Sequence, residues 1–264
     1  MRQRGMKIAI SGKGGVGKTT VAAMLCQVLA WQGVNVLAVD ADPDANLGMA
    51  LEFDADLLAQ VITIAQDEKL IAERTGATPG SRGEWFTLNP GVEDIPDKYI
   101  IKQGNISLLQ MGAKAVGGSG CACPESVLLQ SLLNHLVIDI DQAVIVDMEA
   151  GLEHLGRGTA CGVDAFIIVV EPGQRSLATA RTIVKMVQDL GVRQVYAVLS
   201  KWQGINQACI ADQLAGLEIL GVIPYKIEAV LADWQGGSLL HSCPELLKEV
   251  EHIVDVLAMR RQVR

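Results

Sequence analysis

The chain has no run of eighteen or more uncharged apolar residues, although half of its 264 residues are hydrophobic. A bilayer-spanning helix needs about 20 such residues, so the apolar content is expected to fill a buried core and no membrane partner is expected. The opening residues Met1-Arg2-Gln3-Arg4-Gly5-Met6 also lack the apolar stretch of a secretion signal, which makes the cytoplasm the expected location. Positive charge is scarce: 22 Lys and Arg stand against 30 Asp and Glu, a net charge of −8. Nucleic-acid binding depends on a basic surface patch, so no nucleic-acid partner is expected. Neither internal repeats nor low-complexity segments are present. In a reducing compartment the six cysteines serve as packing residues, metal ligands or redox groups rather than disulfides. A chain of this length buries a sizeable core, and residues 1–264 are expected to form one domain.

What the chain does have is a concentrated glycine motif. Residues Gly12 to Thr19 read Gly-Lys-Gly-Gly-Val-Gly-Lys-Thr, with the apolar segment Lys7-Ile8-Ala9-Ile10 before them and helical spacing at Val21, Met24, Leu25, Val28 and Leu29 after them. That strand, loop and helix context is what a phosphate-binding loop requires. Residues without Cβ take dihedrals that aim successive backbone N–H groups into one concavity, so Gly14, Gly15 and Gly17 form the cradle, with Gly12 and Val16 completing the loop. Lys18 neutralises the β and γ phosphates, the Thr19 hydroxyl ligates Mg²⁺, and Thr20 neighbours the α phosphate. The helix opening at Lys18 or Thr19 adds its N-terminal dipole. Lys13 is a second lysine in a cradle already served by Lys18. It is either solvated, or it crosses a subunit boundary to stabilise charge on a partner's transferred phosphate, as an arginine finger does in trans.

With both lysines in place, the loop resembles the signature of the deviant Walker A ATPases. These include the nitrogenase iron protein, cell-division and partition ATPases, arsenite ATPases and metal-cluster maturation ATPases. The resemblance implies ATP and ADP as ligands, Mg-dependent ATP hydrolysis and a homodimer. Independently, apolar strands are expected near residues 7–11, 35–40, 106–110, 143–147, 165–170, 194–199 and 217–223, with amphipathic helices between most of them. Such alternation predicts an α/β fold: a mostly parallel central sheet with helices on both faces. Ligands on such sheets sit beyond the carboxyl ends of the strands. The stretch Thr75 to Gly91, rich in Gly, Pro, Thr and Asn, reads as a long surface excursion.

Two strands end in carboxylates. Val34 to Val39 runs into Asp40-Ala41-Asp42-Pro43-Asp44, and Pro43 ends the ladder, leaving Asp42 in a loop beside the phosphates. The same family resemblance implies that Asp42 orients the attacking water in a first switch, with Asp40 supporting the Mg²⁺ shell. The alternative is that these aspartates only form turns and cap helices. Ala143-Val144-Ile145-Val146-Asp147 is followed by Met148-Glu149-Ala150-Gly151 and is similar to a Walker B strand leading into a second switch. Asp147 then holds Mg²⁺ through water, and a backbone N–H near Gly151 senses the γ phosphate. Glu149, Glu153 and His154 are either metal contacts carried by that switch or solvated polar groups. At the end of the chain, Leu246, Leu247, Val250, Ile253, Val254 and Leu257 form one helical stripe opposite Glu249, Glu251 and Asp255, with Arg260, Arg261 and Arg264 beyond. An acidic polar face favours a packing helix over a membrane-surface helix.

The second unusual segment is Gly117-Gly118-Ser119-Gly120-Cys121-Ala122-Cys123-Pro124. One Cys-X-Cys pair supplies two ligands, half of what a tetrahedral or square-planar ion takes, whereas a symmetric dimer supplies four. Cys121 and Cys123 of two chains therefore suit a shared ion. Tetrahedral thiolate donation favours Zn²⁺ and square-planar donation Ni²⁺; an iron–sulfur cluster and an inert surface pair are the remaining readings. Cys26, Cys161, Cys209 and Cys243 read as packing residues.

The phosphate loop, the Asp-Ala-Asp-Pro-Asp segment, Leu88-Asn89-Pro90, Asp97-Lys98-Tyr99, the Cys-X-Cys loop and Gly151-Leu152-Glu153-His154-Leu155 together resemble the CooC-type ATPases over almost the whole chain. The resemblance implies a nucleotide- and metal-promoted homodimer that matures carbon monoxide dehydrogenase by assisting nickel insertion, with that nickel enzyme as client. The competing classes are a spatial-organising ATPase of the MinD/ParA kind, which leaves the paired thiols unexplained, and a reductase with a bridging iron–sulfur cluster. Relatives often carry Asn-Lys at an adenine-contacting strand end where this chain has Ser200-Lys201, and Ser200 makes fewer amide-like hydrogen bonds. Lys201 is the candidate base contact there, and Pro224 and Tyr225 in the next strand-end loop either flank the base or merely end the strand.

Overall fold

A computed structural model describes residues 5–42, 44–76, 87, 90–92, 94–112, 128, 131–132, 141–149, 163–205, 207–214 and 216–262. Among the described residues, eight strands form one sheet: β1 (Met6–Gly12), β2 (Asn35–Ala41), β3 (Ile101–Gln103), β4 (Ile106–Gln110), β5 (Gln142–Met148), β6 (Ala165–Val170), β7 (Val195–Trp202) and β8 (Glu218–Pro224). Their spatial order is β3-β4-β2-β5-β1-β6-β7-β8. Every neighbouring pair is parallel except β3 and β4, an antiparallel edge hairpin. The expected α/β architecture is present, and each anticipated strand lies where its apolar run placed it. β3 was not anticipated; with three residues, two of them exposed, it carries too little pattern to be read.

Every residue of β1 and β6 is buried, as parallel strands with covered faces require. Period-two alternation divides their side chains between two cores. On one face, Ile8, Ile10 and Ile145 pack with Met24 and Leu25 of α1 (Lys18–Trp31) and with Val250 and Ile253 of the long C-terminal helix. On the other, Ala9, Val146, Phe166 and Ile168 meet Leu177, Ile183 and Val187 of the helix Gln174–Asp189.

Between β2 and β3 run α2 (Leu47–Ala50), α3 (Ala55–Ala59), a short 3₁₀ turn, α4 (Glu68–Thr75) and α5 (Ile95–Tyr99). The Asp67 carboxylate caps α4 by accepting from the Leu70 N–H at 2.8 Å, and α4 ends at Gly76 in the left-handed region (φ 75°). Asp67 also accepts from the Tyr99 hydroxyl, so the Asp97-Lys98-Tyr99 passage fastens α5 to the start of α4. Arg74 Nη2 donates to both Asp94 oxygens at 2.8 and 2.7 Å and its Nη1 to the Gly91 carbonyl, joining the two ends of the excursion whose middle lies outside the described residues.

Further helices, among the described residues, are α6 (Gln174–Asp189), α7 (Gln207–Gln213), α8 (Ile227–Trp234), α9 (Leu239–Ser242) and α10 (Pro244–Gln262). The stripe on α10 is core: Val250 and Ile253 are wholly buried and Leu257 nearly so. A Cβ at Gly221 of β8 would come within 2.5 Å of Ile253 Cγ1, which shows how closely α10 lies on the sheet. Arg260 adds an ion pair to Glu218 of β8 at 2.5 Å. The packing-helix expectation therefore holds. Among the described residues no helix is long and apolar enough to cross a membrane.

Truncating Ile253 to Ala removes a side chain from this contact and leaves a cavity, with an expected loss of about 2–4 kcal/mol. Urea unfolding measures it; a loss under about 0.5 kcal/mol, the range of surface substitutions, would mean that α10 is peripheral to the core.

Candidate nucleotide site

The loop between β1 and α1 carries the glycine motif at the carboxyl end of the central strand, with β5 on one side of β1 and β6 on the other. Gly12 closes β1 where a Cβ would stand 2.4 Å from the Val169 carbonyl of β6, so only glycine permits that approach. Gly15 and Gly17 take left-handed dihedrals (φ 81° and 92°), and a Cβ on Gly14 or Gly15 would meet nothing within 4 Å. The loop is thus a glycine-permitted turn bordering open space, the backbone pattern of an anion nest. Val16 is wholly buried beneath it, and α1 opens at Lys18 with Gly17 as its N-cap, so the helix dipole points into the same space.

Lys18 is 7% exposed, and its Nζ lies 3.8 Å from Oδ2 of Asp42. Asp42 stands in the turn after β2, its other oxygen accepting from the Asp44 N–H at 3.0 Å. Pro43 lies outside the described residues. Asp40 and Asp147 are both buried and are register partners on adjacent strands β2 and β5. Asp40 accepts from the Leu47 N–H at 2.9 Å, which ties α2 to the strand end. Burial pushes its carboxyl up to about 7, the Leu47 N–H pulling it partly back and the Asp147 charge raising it further.

Burial also raises Asp147, to about 6, against the approach of the Thr19 hydroxyl and the Lys18 charge. Neither Asp147 oxygen has a well-formed hydrogen-bond partner. An orphaned buried carboxylate beside a hydroxyl is a hard-oxygen donor set, which fits Mg²⁺. Thr19 and Thr20 are both partly exposed at the start of α1, with Thr19 on the Asp147 side. Ser11 at the end of β1 donates to the Glu149 carbonyl at 3.0 Å, linking the phosphate loop to the segment after β5. Glu149 itself is exposed.

A cleft of about 200 Å³ lies at the ends of β6, β7 and β8, lined by Glu171, Pro172, Lys201, Gln203, Ile205 and Tyr225. Two of the three candidate base contacts, Lys201 and Tyr225, line it. Pro224 instead pairs with Trp202 in the β7–β8 ladder, and its chain neighbour Tyr225 donates its N–H to the Trp202 carbonyl at 2.9 Å. Ser200 is buried, its Oγ 3.3 Å from where a Cβ of Gly17 would sit, so it packs beneath the loop. Glu171, Gln203 and Ile205 went unread in the sequence. Glu171 was nonetheless marked by its place, directly after the wholly apolar β6, where strand ends gather ligands.

Cys121, Cys123, Gly151, Glu153, His154 and Cys161 lie outside the described residues. Cys26 and Cys243 are buried as packing residues, and burial pushes the Cys26 thiol well above its ordinary range. Cys209 is exposed, which corrects its assignment to packing: Ile210 and Leu214 take the inward face of that segment and Cys209 falls off it.

Together, the nest, the buried lysine, the hydroxyl and orphaned carboxylate, and a base-sized cleft at one sheet end define a nucleotide-binding P-loop protein. The sequence matches the CobQ/CobB/MinD/ParA nucleotide-binding-domain family over residues 7–238. It is 40% identical to the carbon monoxide dehydrogenase accessory protein CooC of Rhodospirillum rubrum over 256 residues, 97% of each chain. It is also 40% identical to an ATP-binding protein of Methanocaldococcus jannaschii over 255 residues, 96% of this chain and 97% of that one. Among solved structures, the fold matches the cell-division ATPase MinD of Pyrococcus furiosus with TM-score 0.69 at 21% identity, covering 97% of this chain and 99% of that one. MinD of Pyrococcus horikoshii with Mg-ADP matches with TM-score 0.68 at 20% identity, covering 96% and 97%. The chain belongs to the CobQ/CobB/MinD/ParA family of nucleotide-binding proteins, as a CooC-like member.

The buried carboxylates give the nucleotide-free protein a pH signature. Asp40 at about 7 and Asp147 at about 6 both stand above the 3.8 of an unfolded aspartate, so the folded state binds more protons between those values. Their contribution to stability is full below 3.8 and is lost as pH rises through 6 to 7. Relative to the double variant Asp40→Asn, Asp147→Asn, the wild type is expected to lose stability across that window in thermal unfolding. A difference that is flat with pH would contradict the burial of these charges.

Proposed function

We propose that the protein is an ATP-hydrolysing maturation factor that works as a dimer and assists insertion of nickel into a carbon monoxide dehydrogenase. The observation that supports the reading is the signature loop in its folded setting: buried Lys18 at its end, and Lys13 partly exposed and 3.8 Å from Glu171. The full-length 40% identity to CooC supports the client assignment.

In this reading Gly12, Gly14, Gly15, Val16 and Gly17 present backbone N–H groups to the triphosphate. Lys18 neutralises its β and γ oxygens and Thr20 stands beside the α phosphate. Thr19, Asp40 and Asp147 hold Mg²⁺, which when bound neutralises charge on the phosphate oxygens. The base enters the cleft between Lys201 and Tyr225. Pro224 serves by setting the course of the loop that carries Tyr225.

Asp42 orients a water for attack on the γ phosphorus; the bond to the β–γ bridging oxygen breaks, ADP leaves with that oxygen, and inorganic phosphate is released. Lys13 of each chain reaches the partner's triphosphate and stabilises the charge that develops there. ATP closes the dimer and hydrolysis reopens it. Closure brings Cys121 and Cys123 of both chains around one Ni²⁺ or Zn²⁺ as cargo, four thiolates being the complement that one chain lacks.

Lys13→Ala is expected to lower ATP turnover by about 10²- to 10³-fold, the cost of removing one charge-stabilising donor, while nucleotide affinity changes little. Normal turnover would remove the trans role. Anaerobically prepared protein is expected to hold about one Ni²⁺ or Zn²⁺ per two chains by the four-donor rule, and Cys121→Ser or Cys123→Ser to lose it. Metal analysis that finds wild-type loading in both variants would overturn the shared site.

A further inference from the structure

Lys13 has to cross to a partner in the mechanism above, yet in the protomer it is already engaged. Its Nζ lies 3.8 Å from Oε1 of Glu171, the residue that follows β6. The same carboxylate faces a second cation: Lys201 Nζ stands 4.0 Å from Oε2. Lys201 in turn donates to the Gly15 carbonyl of the phosphate loop at 2.5 Å, from a left-handed backbone (φ 54°) uncommon for a residue with a side chain. The Glu171 backbone is itself held, its N–H donating to Ser176 Oγ at 3.1 Å. Glu171 and Lys201 are also walls of the base cleft. One carboxylate therefore joins the signature lysine, the phosphate loop and the nucleoside end of the site.

We propose that Glu171 is a positioning residue: it keeps Lys13 on its own protomer until a nucleoside occupies the cleft, and so makes the lysine's release to a partner depend on the base and ribose as well as the phosphates. The inference rests on the trans role of Lys13 proposed above.

The chemistry is competition for one acceptor. A nucleoside brings hydroxyl and amino donors into a cleft whose wall is the Glu171 carboxylate, and its bulk displaces the Lys201 ammonium from the Gly15 carbonyl. Both Lys13 and Glu171 are about one-third exposed, and at 3.8 to 4.0 Å these pairs are longer than direct hydrogen bonds. They belong to the weak class of surface ion pairs, strong enough to bias Lys13 and weak enough for incoming donors to break. Bare triphosphate fills the nest but carries no such donors.

The test compares wild type, Glu171→Gln and Glu171→Asp as full-length protein, with ATP plus Mg²⁺ or with tripolyphosphate plus Mg²⁺. On dilute monomer, the ¹³C-methyl resonance of reductively methylated Lys13 is expected to move with ATP and not with tripolyphosphate in the wild type. In Glu171→Gln it is expected to be displaced without ligand, and in Glu171→Asp to regain the wild-type response. In light scattering, Glu171→Gln is expected to dimerise at roughly two- to fivefold lower protein concentration, the range open to a surface ion pair, and to respond to tripolyphosphate as well as to ATP. A Lys13 resonance indifferent to Glu171→Gln, or a wild type that answers tripolyphosphate as it answers ATP, overturns the inference. If the Lys13 resonance behaves as expected but no variant dimerises, the gate stands and the proposed dimeric mechanism fails.

Discussion

Two aspartates buried side by side at the ends of β2 and β5 set the conditions for everything else at this edge of the sheet. Asp40 finds a backbone donor in Leu47, whereas Asp147 finds no full partner, and burial raises both. A parallel sheet covered on both faces leaves its strand ends as the one place where such charges gain compensation from outside the fold. Lys18 and Thr19 supply part of it, and in the proposed function Mg²⁺ and the nucleotide phosphates supply the rest. The α2 turn is tied to this pair through the Leu47 N–H on Asp40.

At the same sheet end, three loops make direct contact with the phosphate loop and its flanks. Ser11 binds the first residue beyond Met148, Asp42 lies 3.8 Å from Lys18, and Glu171 lies 3.8 Å from Lys13, so three separate strand-end loops meet at one phosphate loop. Each contact is a single hydrogen bond or a long ion pair. Such contacts are weak enough to exchange when a ligand brings its own donors and acceptors, while the strands beneath them are fixed by two hydrophobic cores.

The fold was legible because its signals are local and repeated: buried parallel strands are near-continuous apolar runs, and glycine, lysine and threonine fall at fixed places between β1 and α1. β3 was not legible, since three half-exposed residues hold no period. The phosphate loop and the carboxylates after β2 and β5 were legible because each motif sits within one strand end. The cleft at the ends of β6, β7 and β8 was only half so. Lys201 was picked out by likeness to relatives and Tyr225 by its strand-end loop, and both line the cleft, but Glu171 comes from the loop after β6 and Gln203 and Ile205 from the loop after β7, and only the sheet topology brings the two loops together. Cys209 was misassigned because cysteine's usual burial says nothing about which face of a short helix it occupies.

The central claim is that two chains complete one another, each lending a lysine to its neighbour's triphosphate and a thiol pair to a common ion. Anaerobic native mass spectrometry of the wild-type protein with a non-hydrolysable ATP analogue, Mg²⁺ and Ni²⁺ or Zn²⁺ tests it most directly. The account predicts a complex of two chains, two nucleotides and one thiolate-bound ion. Single chains carrying nucleotide, with or without an ion of their own, would contradict it.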